Sequence, residues 1–235
     1  MTWDELLFLE MRLKTDFCFS AQLAISALVL ALVFCAPGCK SPAQPSDDDT
    51  SPSQPVQVTA DYIELGRITR ISKFRSGVGH DYSDSYESCR SMKHYFVPGS
   101  YPVKIYSPVN GAVSYLTPEW AGTQVGIKAG ARTFVIFHVN VFSTLKVGDV
   151  LTAGEQIGTH IGTQTWSDIA VWEGNRLLSY FNVMTDAVFQ DYKNRGVGAR
   201  SDLIITQAAR DADPLTCSGD TFASQGNIPN WVYLN

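Results

Sequence analysis

The stretch from residue 111 to residue 139, GAVSYLTPEWAGTQVGIKAGARTFVIFHV, decides the fold. It contains three short runs rich in β-branched and aromatic residues, and turn formers such as Ala129–Gly130 separate them. Runs of this kind predict consecutive strands. A fourth run, VKIYSPV at 103–109, precedes them and ends at the turn pair Asn110–Gly111. We therefore expect a mainly β fold.

The sequence that follows supports a compact β architecture. LKVGDVLTAGEQIGTHIG, at 145–162, carries glycine at positions 148, 154, 158 and 162. Glycine at this spacing supplies positive φ and tight corners where short strands fold back. Strands do not alternate with long helical patterns, which disfavours a parallel doubly wound sheet. The pattern therefore predicts a small antiparallel barrel or sandwich.

The C-terminal part has helical patterns in place of strand patterns. We assign it to a short helical extension that begins at about residue 176. TDAVFQDYKNRG, from Thr185 to Gly196, has an N-cap residue, apolar residues at helical spacing and a terminal glycine. A second short helix is expected to open at Thr206 and to end before Pro214. The last residues, DTFASQGNIPNWVYLN, predict an irregular wrap.

The N-terminal part, residues 1–38, is interpreted as an export signal. LAISALVLALVFCA, at 23–36, is apolar, uncharged and too short to span a bilayer comfortably. It follows Arg12 and Lys14 and precedes small residues, which is the order of a secretory signal. The acidic stretch before Met11 is atypical of such signals, so Met11 is a hypothetical alternative start.

Residues 36–39, Ala-Pro-Gly-Cys, resemble a lipoprotein processing site, so Cys39 is predicted to carry lipid. Ordinary signal cleavage, with Cys39 incidental, is the alternative. Residues 39–57 are rich in Pro, Ser and Asp, and such a tether holds a domain away from a membrane. Lys40 and Ser41 lack the acidic residue associated with inner-membrane retention, which favours the outer membrane. The domain itself is assigned to 58–235.

The five cysteines then fall into separate classes. Cys18 and Cys35 leave with the signal, and Cys39 takes lipid. Cys89 and Cys217 remain, and two cysteines in an oxidising compartment predict one disulfide. The alternative is two unpaired thiols.

Composition excludes one class of partner. The net charge is -5, and the sequence contains no Lys/Arg-rich run. Binding to phosphate backbones depends on clustered positive charge. Nucleic acid is therefore not an expected partner.

Four segments form an ordered series of motifs. HDYSD at 80–84 has the form H-x-x-x-D, and YPVKIYSPVNGAV at 101–113 predicts a strand and turn. FHV at 137–139 with LKVGD, and TAGEQIG at 152–158, follow in order. Together they resemble the lysostaphin-type (LytM-like) zinc endopeptidases, which cleave peptidoglycan peptides. The resemblance implies a duplicated hybrid motif of β-strands. Lipoyl and biotinyl carriers share the glycine-rich hairpin, but they need an exposed modified lysine, for which Lys128 is the nearest candidate.

The resemblance also implies a zinc site, which this sequence matches only in part. His80 and Asp84 stand at two ligand positions, and His138 stands at the position of a catalytic histidine. Asp168 replaces a second catalytic histidine, and Ala170 replaces the third ligand. A hydrolytic zinc needs about three protein ligands, and alanine cannot bind a metal. Asp168 itself, His94 and His160 are the remaining candidates for a replacement ligand, although Asp168 would lie about 6–7 Å along its strand from the ligand position.

Three functions are compatible with this partial match. We favour a non-catalytic module without a cofactor, anchored to a membrane by its lipid, which binds peptidoglycan or an envelope protein. The alternative is a divergent zinc endopeptidase that cleaves peptidoglycan peptides; a purely structural envelope part is a third possibility. Aromatic residues expected near the groove are Tyr82, Tyr86, Tyr95, Trp166 and Trp172.

Overall fold

A computed structural model describes residues 55–235. The predicted signal peptide, Cys39 and the tether up to residue 54 lie outside the described residues. Val58 is already fully buried, and its backbone N–H donates to Val183 O at 2.8 Å. In this part of the chain, no helix has both the length and the apolar character needed to cross a bilayer.

The described residues form an 11-stranded antiparallel sheet and a separate two-stranded one. The strands before the centre of the chain are β1 (Ile68–Ser72), β2 (His94–Pro98), β3 (Lys104–Tyr106), β4 (Gly111–Pro118), β5 (Thr123–Ala129) and β6 (Arg132–Val141). The later strands are β7 (Val150–Leu151), β8 (Gln156–His160), β9 (Ser167–Glu173), β10 (Arg176–Leu178), β11 (Cys217–Ser218), β12 (Thr221–Phe222) and β13 (Trp231–Tyr233). The predicted mainly β fold is confirmed.

The large sheet has the order β13-β1-β2-β9-β6-β5-β4-β7, and β6 lies at its centre. β6 pairs with β5 on one side and with both β9 and β8 on the other. Seven of its ten residues are buried, because strands flank it and apolar residues cover its faces. The four strand runs predicted from sequence correspond to β3, β4, β5 and β6.

The two short helices are α1 (Asp186–Asn194) and α2 (Gln207–Ala212), and both were predicted. Thr185 is the N-cap of α1, and Gly196, at φ +91°, follows the end of that helix. The Thr206 hydroxyl accepts a hydrogen bond from Ala209 N–H at 3.2 Å, which caps α2.

The prediction of an irregular wrap at the C-terminal end was wrong for its last part. β13 pairs antiparallel with β1, with Val232 opposite Ile71. Trp-Val-Tyr is a sequence of strand-forming residues, and β1 would otherwise present unpaired backbone groups at the sheet edge. β13 therefore completes the sheet.

The predicted disulfide between Cys89 and Cys217 is present, with a Cα–Cα distance of 5.7 Å. It joins the loop before β2 to β11. The same loop hydrogen-bonds to the turn after β11, since Asp81 N–H donates to Asp220 O at 2.6 Å. These contacts fix the segment that carries His80.

Candidate functional site

A cleft of about 500 Å³ lies at the end of β2, beside β6 and the segment before β9. This volume is within the range of small-molecule sites. Its aromatic lining consists of Tyr95, Tyr101, Trp120 and Trp166. Its polar lining consists of His80, Lys93, His138, Thr163, Gln164 and Thr165, and Gly79, Val97 and Pro98 complete it.

A buried ion pair forms the floor of the cleft. Lys93 Nζ lies 2.5 Å from Asp168 Oδ2, and the two side chains are 2% and 0% exposed. β2 and β9 create this contact, because their register places Tyr95 opposite Asp168. A buried ion pair is tolerated only when each charge has a close partner. Lys93 and Asp168 therefore depend on each other.

Three aromatic rings surround the Lys93 ammonium. Its Nζ is 4.1 Å from the ring centre of Phe137, 4.9 Å from that of Tyr82 and 5.0 Å from that of Tyr95. Ring faces attract a cation at these distances. Burial acts to lower the pKa of Lys93, but the Asp168 carboxylate and Tyr95 hold that pKa above its ordinary value. Lys93 is therefore a permanent cation at neutral pH.

His80 covers Lys93 from the solvent side. Its ring is exposed, with Nδ1 2.8 Å from Asp81 O and Nε2 3.3 Å from Lys93 Nζ. An ammonium has hydrogens to donate but no lone pair to accept. This geometry assigns the proton of a neutral His80 to Nδ1 and directs the Nε2 lone pair at Lys93.

His138 lies on the other side of Asp168. Its Nε2 is 3.4 Å from Asp168 Oδ1, and its Nδ1 is 3.0 Å from Ala121 O. Its backbone N–H donates to Glu119 Oε2 at 3.2 Å. At φ +61°, His138 adopts the left-handed conformation that non-glycine residues rarely take. Its neighbours therefore hold the ring in one position within the cleft.

Asp84 and Ala170 lie away from this group. The Asp84 carboxylate accepts hydrogen bonds from the backbone N–H groups of Tyr86, Glu87 and Leu177, at 2.9, 3.1 and 3.0 Å. It thereby supports the loop and β10. Ala170 is 1% exposed and belongs to an apolar cluster with Val135 and Phe137. Of the residues selected from sequence, Asp168 pairs with Lys93, His80 contacts Lys93, and His138 contacts Asp168.

The other two histidines have structural partners. His94 is fully buried, with Nδ1 2.8 Å from Ser72 O and Nε2 2.9 Å from Ser179 Oγ, and burial lowers its pKa to about 4. His160 stacks on Tyr101 at 5.9 Å, and burial lowers its pKa. Neither histidine lines the cleft.

The residues at the cleft floor do not fit a zinc ion. Nε2 of His80, which would have to bind the metal, already faces the Lys93 ammonium. The Asp168 carboxylate already has the Lys93 ammonium as its partner, at 2.5 Å. Across residues 55–235, His, Cys, Asp and Glu side chains do not assemble in any group of three that could hold a metal.

Sequence reasoning missed Lys93, Tyr101 and Trp120. A signal for Lys93 exists, because a lysine inside the mostly apolar run MKHYFV, at 92–97, requires a partner if the run is buried. Of the aromatic residues selected from sequence, Tyr95 and Trp166 line the cleft. Tyr82 and Trp172 lie outside the lining and hydrogen-bond each other at 3.1 Å, whereas Tyr86 packs against Arg176.

No family model and no curated protein matches this chain. Among solved structures, one chain of the SpoIIQ–SpoIIIAH pore forming complex matches with 11% identity and a TM-score of 0.43. The match covers 55% of this chain and 92% of that chain. Csd3 of Helicobacter pylori matches with 20% identity and a TM-score of 0.38, over 48% of this chain but only 34% of the Csd3 chain.

The catalytic domain of the prophage-encoded M23 protein EnpA from Enterococcus faecalis is a further match. It has 18% identity and a TM-score of 0.37, over 48% of this chain and 88% of its own. A putative glycyl-glycine endopeptidase lytM from Ruminococcus gnavus also matches, with 18% identity and a TM-score of 0.32, over 38% of this chain and 44% of that chain. The structural neighbours thus include peptidase domains of the M23 and LytM type. At these identities and TM-scores, they assign neither an activity nor a ligand to this chain.

Proposed function

We propose that this chain is a non-catalytic, lipid-anchored module of the bacterial cell envelope, and that its cleft holds peptidoglycan. One observation carries the proposal: the Lys93 ammonium lies at the cleft floor, 2.5 Å from Asp168 Oδ2 and 3.3 Å from His80 Nε2. The cation is part of the chain and neutralises the buried carboxylate.

This arrangement disfavours zinc-dependent hydrolysis. A hydrolytic zinc needs about three protein ligands and an open position for water. His80 directs its lone pair at Lys93, and Ala170 offers no donor atom. The alternative of a divergent zinc endopeptidase would require Lys93 to leave its pocket.

Lys93 does not supply a different hydrolytic chemistry. A lysine acts as a general base or a nucleophile only when it is deprotonated. Asp168 raises the pKa of Lys93 despite burial, so the amine stays protonated at neutral pH. Lys93 therefore offers the cleft neither a general base nor a nucleophile at neutral pH.

The cellular location is proposed from the sequence. A lipid on Cys39 and the Pro/Ser/Asp tether of residues 39–57 would hold the domain at a membrane, with the outer membrane favoured. Peptidoglycan is the polymer within reach of such an anchor. An envelope protein is the alternative occupant of the cleft.

Metal content tests the non-catalytic part of the proposal. We expect protein purified without chelator and without added zinc to contain much less than one zinc per chain by elemental analysis. The His80→Ala variant serves as the matched control, and its zinc content should equal that of the wild type. Stoichiometric zinc that disappears in His80→Ala would show that His80 is a zinc ligand and would contradict this part of the proposal.

Retention on purified peptidoglycan tests the binding part. We expect the wild type to sediment with peptidoglycan and to release no soluble fragments. Trp120→Ala should remain mostly in solution, because Trp120 lines the cleft and is 76% exposed. Tyr86→Ala is the control, since Tyr86 is 53% exposed but does not line the cleft. A wild-type protein that stays in solution contradicts the proposal.

A further inference from the structure

We infer that the cleft recognises the glycan strand of peptidoglycan, through neutral N-acetylated sugars, and not the peptide stems. This inference rests on the proposed function. It follows from three properties of the lining: its charge, its aromatic side chains and its uncharged polar groups.

The first property is the lack of an available charge. The described residues that line the cleft include no carboxylate and no guanidinium. Asp168 neutralises Lys93, the cation at the floor, which is only 2% exposed. Peptide stems carry free carboxylates and amines, and charged groups lose their hydration when they enter a site. A lining without opposing charges does not compensate that loss of hydration. N-acetylated sugars are neutral, so they enter the cleft without it.

The second property is the arrangement of aromatic side chains. Tyr101, Trp120 and Trp166 line the cleft, and the Trp120 side chain is 76% exposed. Aromatic faces offer apolar area to a ligand, and indole and phenol groups add a polar edge. A sugar ring has the matching character, because its C–H groups form apolar faces and its hydroxyl groups lie around the edge.

Trp166 is held in position before any ligand arrives. Its ring meets Tyr95 edge to face at 6.0 Å and Trp231 edge to face at 5.3 Å. The guanidinium of Arg70 lies 4.4 Å from the Trp231 ring centre and fixes that ring in turn. A side chain that is already ordered loses little conformational entropy on binding.

The third property is a run of uncharged polar side chains. Thr163, Gln164 and Thr165 line the cleft beside Trp166, and the first two are exposed. Hydroxyl and amide groups both donate and accept hydrogen bonds. They match the hydroxyl and acetamido groups of an N-acetylhexosamine. The cleft volume of about 500 Å³ suits a short glycan segment.

Calorimetric titration of the folded protein with three probes tests the inference. The probes are an N-acetylglucosamine tetramer, the glucosamine tetramer that lacks the acetyl groups, and a stem pentapeptide. We expect the N-acetylated tetramer to bind at least about tenfold more tightly than the other two. Trp120→Ala should weaken its binding by about tenfold, the scale of one lost aromatic contact.

Two variants complete the experiment. Tyr86→Ala should bind the tetramer like the wild type, because Tyr86 does not line the cleft. Gln164→Ala should also weaken binding, and this exposed residue can be changed without disturbing the core. Unchanged affinity in both Trp120→Ala and Gln164→Ala would place the sugar elsewhere and overturn the inference.

The outcomes separate the two proposals. Retention on peptidoglycan without affinity for the N-acetylated tetramer, or with a preference for the pentapeptide, overturns glycan recognition and leaves the proposed function standing. A protein that binds neither peptidoglycan nor the tetramer overturns both. Affinity for the tetramer that Trp120→Ala reduces supports the inference.

Discussion

Asp168 is fully buried and Asp61 is partly buried, and the two carboxylates have different kinds of partner. Asp168 faces the Lys93 ammonium at 2.5 Å. Asp61 is partly buried and accepts hydrogen bonds from two tyrosine hydroxyls, Tyr192 at 2.6 Å and Tyr180 at 3.3 Å. Burial raises the pKa of Asp61 to about 7, although both hydroxyls act to lower it.

The difference shows what a hydroxyl group cannot do for a buried charge. Two tyrosines supply hydrogen bonds but no net charge, so Asp61 takes up a proton near neutral pH. Lys93 supplies a full positive charge, and this charge persists because the pKa of Lys93 is raised. The cleft floor is therefore a fixed ion pair, whereas the Asp61 cluster changes its charge with pH.

The largest expected effect is that of Lys93→Met. This substitution removes the cation and leaves Asp168 without an opposite charge. We expect the free energy of unfolding to fall by about 3–5 kcal/mol at pH 7, the usual cost of breaking one side of a buried ion pair. Urea denaturation measures it.

The double variant Lys93→Met with Asp168→Leu is the control for this effect. Replacing both charges by apolar groups removes the uncompensated carboxylate, so most of the lost stability should return. A single variant within about 0.5 kcal/mol of the wild type, the range of ordinary surface changes, would mean that the pair is not buried as described.

The second prediction concerns the pH dependence of stability at Asp61. Because the folded-state pKa of Asp61 is raised, the protonated group stabilises the folded protein below pH 3.8, and this contribution is lost as the pH rises through about 7. The difference between the unfolded-state pKa of 3.8 and the folded-state pKa of about 7 corresponds to at most about 4 kcal/mol. The contribution is smaller than this because Asp61 is only partly buried. Unfolding free energies between pH 4 and pH 8 measure it.

Asp61→Asn isolates this contribution from other titrating groups. The asparagine variant should gain stability relative to the wild type as the pH rises, because its side chain cannot ionise. Parallel stability curves for the two proteins over this pH range would show that Asp61 does not titrate near neutrality.

The smallest expected effect is that of Tyr192→Phe, which removes the 2.6 Å hydrogen bond to Asp61. We expect a loss of about 2 kcal/mol at pH 8, where the carboxylate is charged, and about 1 kcal/mol at pH 5. Chemical denaturation at both pH values measures the losses. Tyr233→Phe, at a residue 67% exposed, is the control and should change stability little. Equal losses at both pH values would argue against a titrating acceptor.

The central strands could be predicted because their signal is local. β4, β5 and β6 are neighbours in sequence, and short turns between strand-forming runs are visible without tertiary information. β1 and β13 were not predicted, because their pairing joins Ile71 to Val232 across most of the domain. The strand propensity of three residues at β13 is too weak to show such a partner.

The site was predictable only for residues that match a known motif. His80, His138 and Asp168 were selected by resemblance, and the structure brings them together. Lys93 was missed because its partner Asp168 lies across the β2–β9 pairing, which the sequence does not show. Ala170 was interpreted as a lost ligand position, and in the structure it is a residue of the apolar core.

The Lys93 ammonium has a consequence for how the cleft is completed. A metal centre becomes complete only when an ion is acquired from the surroundings, so its occupancy depends on the supply of that ion. Here the positive charge is the Lys93 side chain, which is part of the polypeptide and packs against aromatic rings when the chain folds. Each folded molecule therefore contains the Lys93–Asp168 ion pair. Neither zinc starvation nor a chelator in the growth medium should change the fraction of molecules that have this pair.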